Sequence, residues 1–230
     1  MKLKLLLACS IAGSLLAADQ KWTRKEYTEW TPAQIEQVLN DSAWARHVAA
    51  FIGTTDEDPR TYPAKGPTAG DIGLGGPRST DDWFPVGKLP STKMPTLPVT
   101  VRWDSALPVR EALVRSHSAE ARDTENTLAT RDKYYVLTIL GLGTAGNSDK
   151  TMLRQGLLNE ARLMRHGKKP IMPEDARIDE KTGTIQIFFP KTDPITLDDK
   201  EVAFGTVFGT VQVIQRFRLK DMVYKGKLEL

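Results

Sequence analysis

Between Thr196 and Leu230 the chain alternates apolar and polar residues with a period of two. That pattern restricts this end to a β-sheet with one buried face. Val202, Phe204 and Thr206 fall on one side, and beyond Phe208-Gly209 the apolar series continues with Val211, Val213 and Phe217. A two-residue turn at Phe208-Gly209 pairs Thr206 with Val211, Phe204 with Val213 and Val202 with Gln215. The same register sets Glu201 opposite Arg216 and Asp199 opposite Arg218 on the wet face. Such cross-strand charge pairs are worth roughly 0.2–1 kcal/mol each. A one-residue slip would lose both pairs and turn the apolar row outward. Residues 222–230 are expected to fold back at Lys225-Gly226 as a last short strand.

The opposite end has a different character. Lys2 and Lys4 precede the apolar run Leu5–Leu16, and small residues Ala17-Ala18 follow before Asp19. A short basic start, a short apolar run and a small-residue exit describe a secretory signal peptide, cleaved after Ala18. The run is shorter than the roughly 20 apolar residues a membrane span needs. The alternatives are an uncleaved anchor, a buried first helix, or a lipoprotein-type cleavage at Leu6-Leu7-Ala8-Cys9. Cys9 is the only cysteine. A chain beginning at Asp19 therefore has no disulfide, no zinc–thiolate site and no cysteine nucleophile, and must rely on its core. Losing Lys2 and Lys4 takes the formal charge from +3 to +1. That balance gives no electrostatic case for nucleic acid, which wants a strongly basic face.

Between these ends the texture changes twice. Thr31-Pro32-Ala33-Gln34 is a helix start, with Thr31 as cap, Pro32 at the first position and Gln34 reaching back. Ile35, Val38 and Leu39 make its apolar face. Ser42 can cap a second helix that carries Trp44, Val48, Phe51 and Ile52 at helical spacing. Residues 19–52 are thus expected to be a helical segment. Residues 53–96 form a Pro/Gly-rich arm without periodicity, of the kind that is mobile or functional. Residues 97–230 form the main domain. In it, Val99, Val101 and Trp103 alternate as a half-buried strand. Asp104 or Ser105 then caps a helix running to about residue 130. Residues 134–142 are a nearly continuous apolar run, expected as a central strand buried on both faces. Residues 147–164 form an amphipathic helix weakened at Gly156 by about 1 kcal/mol relative to alanine. Residues 184–189 are a further strand.

Three blocks carry a family resemblance. Residues 42–45 (Ser-Ala-Trp-Ala), 101–112 (from Val101-Arg102-Trp103-Asp104 to Arg110-Glu111-Ala112) and 217–230 (from Phe217-Arg218-Leu219-Lys220 to Leu228-Glu229-Leu230) resemble blocks in an acidobacterial-type group of exported bacterial proteins of unknown function. The resemblance implies export and a shared architecture. It implies no activity and no site residues.

The sharpest motif is Gly141-Leu142-Gly143-Thr144-Ala145-Gly146, which follows an apolar strand and precedes a helix, the context of a dinucleotide-binding turn. Against that, Asn147-Ser148-Asp149 would cap the helix after the motif. The next strand is broken by Pro170 and Pro173. A flexible glycine-rich loop is the plainer explanation, and no cofactor is expected. His47, His117 and His166 fall on three separate expected helices, and none has a partner at i+4, so no helical metal pair exists. Ser116-His117-Ser118 with Asp104 lacks the strained turn that presents a nucleophile. Asp81-Asp82, Glu174-Asp175 and Asp198-Asp199 are acidic pairs in turn-like contexts, and glycosidase carboxylates must face each other across a cleft. Arg115, Arg122 and Arg131 are expected on the wet side of their helix.

The expected fold is α+β: an antiparallel sheet with a C-terminal hairpin, packed on one or two helices, with the N-terminal helical segment and the arm attached. The expected function is a non-enzymatic binding or structural protein of the bacterial envelope, with an envelope protein or polymer as partner. The runner-up is a hydrolase of an envelope substrate. Trp83 and Phe84, adjacent aromatics within the arm, are expected to dock, first on the parent domain and otherwise, as the candidate partner-docking residues, on a partner, because large aromatic side chains anchor interfaces.

Overall fold

The computed structural model describes residues 22–23, 25–52, 95–116, 133–142, 150–179 and 181–230. The expected signal peptide, most of the arm with Trp83 and Phe84, His117, and Gly143 to Gly146 lie outside these residues. Three α-helices are described: α1 (Pro32–Asn40), α2 (Leu107–Ser116) and α3 (Lys150–Glu160). The strands are β1 (Ala45–Ile52), β2 (Thr96–Trp103), β3 (Tyr134–Leu140), β4 (Arg162–Met164), β5 (Asp175–Asp179), β6 (Thr184–Pro190), β7 (Glu201–Phe208), β8 (Val211–Arg218), β9 (Val223–Tyr224) and β10 (Lys227–Leu228). The protein is α+β and dominated by its sheet. Eight strands lie in the order β4-β7-β8-β1-β2-β3-β6-β5, every neighbouring pair antiparallel. β9 and β10 form a separate two-stranded ribbon.

The register sorts side chains into two faces. One face carries Val202, Phe204 and Thr206 of β7, Val213 and Phe217 of β8, Val99, Val101 and Trp103 of β2, Tyr135, Leu137 and Ile139 of β3, and Ile185, Ile187 and Phe189 of β6. All but Thr206 belong to the main hydrophobic core. The sheet curls around this face. Phe189 and Phe204 meet edge-on at 6.2 Å between ring centres, although four strands separate β6 from β7 in the sheet order. α3 packs against both β7 and β5, which lie toward opposite ends of the sheet, and buries Leu157. Its Arg154 holds the β5 edge, donating to the Ala176 carbonyl at 3.1 Å and pairing with Asp175 at 2.7 Å. An edge strand covered in this way offers less unpaired backbone to other chains.

Several expectations hold. Thr31 and Gln34 close the capping box of α1. The strands at β2, β3 and β6 form where alternation or an apolar run placed them, and β3 is buried along its middle. The chain reverses at Lys225 and Gly226, both at positive φ (49° and 79°), the pattern of a tight two-residue hairpin.

Others are corrected. Residues 45–52 are a strand, not a second helix. Trp44, Val48, Phe51 and Ile52 do recur at helical spacing, but this segment fills the position between β2 and β8, and tertiary pairing overrides the local pattern. Ser42 ends α1 instead of starting a helix: its hydroxyl donates to the Val38 carbonyl at 2.8 Å and accepts from Trp44 N at 3.2 Å. The terminal hairpin turns one residue later than expected, at Gly209-Thr210, so Thr206 pairs with Val213 and Phe204 with Gln215. Gly209 sits at φ +57°, which suits the first corner of such a turn. The change in register is two residues, so each side chain keeps its expected face. Glu201 faces Arg218 but bonds diagonally to Arg216 at 3.2 Å. Asp199 does not pair with Arg218; it lies in a short 3-10 turn and binds Lys168 at 2.7 Å. The expected helix over 147–164 gives way to β4 at Arg162.

The three blocks of the resemblance converge on one junction. Trp44 stacks edge-on with Trp22 and Tyr224, at 6.0 and 6.3 Å, and Trp22 with Trp30 at 5.2 Å. Trp103 N donates to the Trp44 carbonyl at 2.8 Å, and the Trp103 ring meets Phe217 at 5.7 Å. Tyr224 donates to Glu111 at 2.8 Å, and the Glu229 carboxylate accepts from Leu107 N, at the start of α2, at 3.4 Å. Neither Asp104 nor Ser105 caps α2. Asp104 binds Arg102 at 2.6 Å and Thr138 at 2.5 Å, and Ser105 accepts from Val136 N at 3.0 Å.

Candidate anion-binding cleft

β1 and β8 are neighbours, yet among the described residues their ladder holds only where Phe51 pairs with Gln212 and Ile52 with Val211. Farther from these pairs the strands part. The opening is a cleft of about 230 Å³, lined by Ala43, Arg46, Gln215, Arg216, Phe217, Arg218 and Asp221.

The polar residues reach this cleft from both faces of the sheet. Arg46 pairs with Val101, and Gln215 with Phe204, so both belong to the core-facing rows of their strands. Those rows are otherwise mostly apolar. Arg216 and Arg218 belong to the opposite row. Arg46 reaches Asp41 at 3.6 Å with its side chain 42% exposed, and Arg216 reaches Glu201 at 3.2 Å. Solvent-accessible pairs such as that of Arg46 contribute little, about 0–1 kcal/mol. An incoming anion can therefore compete with either acid. Arg218 is exposed and makes no ion pair among the described residues. Three guanidinium forks around one opening favour a carboxylate or a phosphate, which they can grip through two parallel bonds.

A second hollow of about 300 Å³ lies beside Lys133, Tyr134, Glu174, Pro190, Lys191 and Thr192. Three of its polar side chains already have partners. Tyr134 donates to Glu174 at 2.8 Å, and that bond holds the Tyr134 phenol above its ordinary pKa. Lys191 lies 4.8 Å over the Tyr135 ring and donates to Leu230 O at 3.4 Å.

The residues singled out in the sequence fall as follows. Trp83 and Phe84 lie outside the described residues. Gly141 sits at φ +91°, and a Cβ there would meet the Pro98 carbonyl at 3.2 Å, so this glycine is needed for the approach of β3 to β2. β3 runs antiparallel to both neighbours, β2 and β6, whereas a dinucleotide turn requires a parallel crossover. His47 stands on β1, not on a helix, with Nδ1 3.0 Å from Thr100 Oγ1. His166 lies in the turn after β4. Among the described residues no group of three or more His, Cys, Asp or Glu is placed to hold a metal. Ser116 donates to the Leu113 carbonyl at 2.8 Å, closing the end of α2. Glu174 and Asp175 serve Tyr134 and Arg154, and Asp199 serves Lys168. Arg115 is exposed, as expected.

Sequence reasoning named none of the cleft arginines as a site. The available signal was Arg46 and Gln215 within otherwise apolar alternating rows, and the helical reading of residues 42–52 concealed the first of them. Among the described residues no helix is long and apolar enough to cross a membrane. No protein-family model matches the chain, and no curated protein or solved structure matches it significantly.

Proposed function

We propose that this chain is an exported, non-enzymatic binding or structural protein of the bacterial envelope, with an envelope protein or polymer as its partner. The cleft between β1 and β8 carries the reading: it gathers Arg46, Arg216 and Arg218 at a surface opening. Elsewhere among the described residues, buried charges brace the fold. Arg102 is tied to Asp104, and Arg165 to Asp193 and Asp199. Export rests on the signal-type pattern of residues 1–18 and on the three-block resemblance.

A hydrolase working through gathered carboxylates needs two of them facing one another. Among the described residues the arginine cleft is lined by one carboxylate, Asp221, and the hollow beside Tyr134 by one, Glu174. This favours binding over hydrolysis. The test is to mix the purified chain beginning at Asp19 with isolated envelope polymer, sediment the polymer and assay the supernatant. Saturable co-sedimentation without release of soluble fragments is the expected result. Release of fragments that grows with time would replace the binding reading with the hydrolytic one.

A further inference from the structure

We infer that the cleft between β1 and β8 binds a single oxyanion, a carboxylate or phosphate, carried as a side group on a larger acidic polymer; this rests on the binding reading above and specifies its ligand.

The inference starts from the sheet. Core-facing rows of a curled sheet bury apolar side chains, and a charged residue in such a row needs a reason. Arg46 stands in the core-facing row of β1, and Gln215 in that of β8. Both line the opening where the ladder between the two strands has ended. The parted strands therefore let the Arg46 guanidinium reach the opening beside Gln215, whose amide donates to the Arg216 carbonyl. Arg216 and Arg218 close the same opening from the other face. The lining holds three cations and one carboxylate, Asp221. Asp41 and Glu201 stand at its flanks, on Arg46 and Arg216, the first in an exposed pair and the second in a half-buried one, and a better-placed oxyanion can displace either acid.

Size decides between a whole metabolite and a pendant group. Pockets that enclose small molecules measure roughly 300–1,000 Å³. This cleft, at about 230 Å³, falls below that range. It can take one acidic group while the rest of the ligand stays outside. A polymer repeating that group gains from rebinding at high local concentration what a single group cannot supply.

The test uses the chain beginning at Asp19 and four probes: polyglutamate, a dextran bearing phosphate monoesters, acetate and inorganic phosphate. Affinity is read by titration calorimetry at low and at physiological salt. The variants are Arg46→Gln and Arg218→Gln. Arg177→Gln removes the same charge on β5, where Arg177 lies 4.7 Å over the Phe188 ring, and serves as the control. Thermal unfolding of each variant confirms that it is folded. The expected result is saturable binding of one or both polymers. Each cleft variant should weaken it about tenfold, the size of one charged hydrogen bond, with no change for Arg177→Gln. The preferred polymer then tells carboxylate from phosphate. Equal losses in all three variants would mean diffuse charge attraction and would overturn the site. So would free acetate or phosphate binding as tightly as the polymers. Co-sedimentation with envelope polymer that survives both cleft variants would sink this assignment and leave the binding function standing. Polymer binding lost in the variants, without any envelope co-sedimentation, would sink the envelope partner and leave the cleft standing.

Discussion

The indole N–H of Trp44 donates to the backbone carbonyl of Glu229 at 2.7 Å, across 185 residues of chain. The carboxylate of the same Glu229 accepts from Leu107 N at the start of α2, where a negative charge also suits the helix dipole. One residue near the end of the chain thus joins the turn after α1 to the first turn of α2. Trp44→Phe keeps most of the ring packing and removes the donor. The expected cost is about 1–2 kcal/mol, since the carbonyl loses its partner in a part-buried setting. Urea unfolding should show a lower midpoint with an unchanged slope. An unchanged midpoint would show that the bond contributes nothing net.

Tyr224 gives the junction a pH dependence. Burial, and then its hydrogen bond to Glu111, push its phenol above the ordinary tyrosine range. An unfolded tyrosine ionises near pH 10, while the folded one keeps its proton. The folded state binds more protons there, so this contribution is intact below about pH 10 and is lost as pH rises toward the folded value. Tyr224→Phe should cost about 1 kcal/mol at neutral pH through the lost bond. It should also flatten the fall in stability above pH 10. Tyr135, whose phenol burial also raises, retains part of that slope. Parallel alkaline profiles for wild type and variant would contradict the assignment.

Two glycines should respond in opposite directions to alanine. Gly141 combines φ +91° with a Cβ position 3.2 Å from the Pro98 carbonyl. Both the backbone strain and the contact oppose a side chain, and Gly141→Ala should destabilise by about 1–3 kcal/mol. Gly156 lies inside α3 with nothing within 4 Å of its Cβ position. Gly156→Ala should stabilise by about 0.5–1 kcal/mol. Thermal midpoints of the two variants decide both claims, and shifts of the same sign would refute one of them.

These residues also show what the sequence carries and what it hides. Alternation locates β2, and an apolar run locates β3, because each signal is local. Alternation also assigns faces in the terminal hairpin, but it is blind to a two-residue change of register, which leaves every face unaltered. The turn therefore moved to Gly209-Thr210 without disturbing the core. Residues 45–52 read as a helix because their spacing suits one, while the partners that make them a strand lie at 96–102 and 211–212. The cleft was illegible for the same reason. It exists only because β1 and β8 part after two residue pairs, and that belongs to no single segment.

The last prediction concerns the segment between β1 and β2. Phe51 pairs with Thr96, and Ile52 N donates to the Pro95 carbonyl at 3.0 Å. The chain therefore leaves the sheet and returns to it at one place. Replacing residues 53–94 by Asn-Gly turns β1 and β2 into a tight hairpin, and the shorter loop costs less entropy to close. The shortened protein should fold with the same sheet, as judged by circular dichroism and backbone amide exchange. Loss of the folded state would show that the sheet depends on the segment. Trp83 and Phe84 belong to it, and burying one such side chain is worth roughly 1.5–3 kcal/mol. Docked on their own domain, they should lower the unfolding midpoint when both are changed to alanine. The shortened protein should then lose a similar amount while still folding. Unchanged stability with lost envelope co-sedimentation would move the pair to a partner surface instead. If neither quantity changes, the two aromatics have no anchoring role and the arginine cleft is left to account for binding.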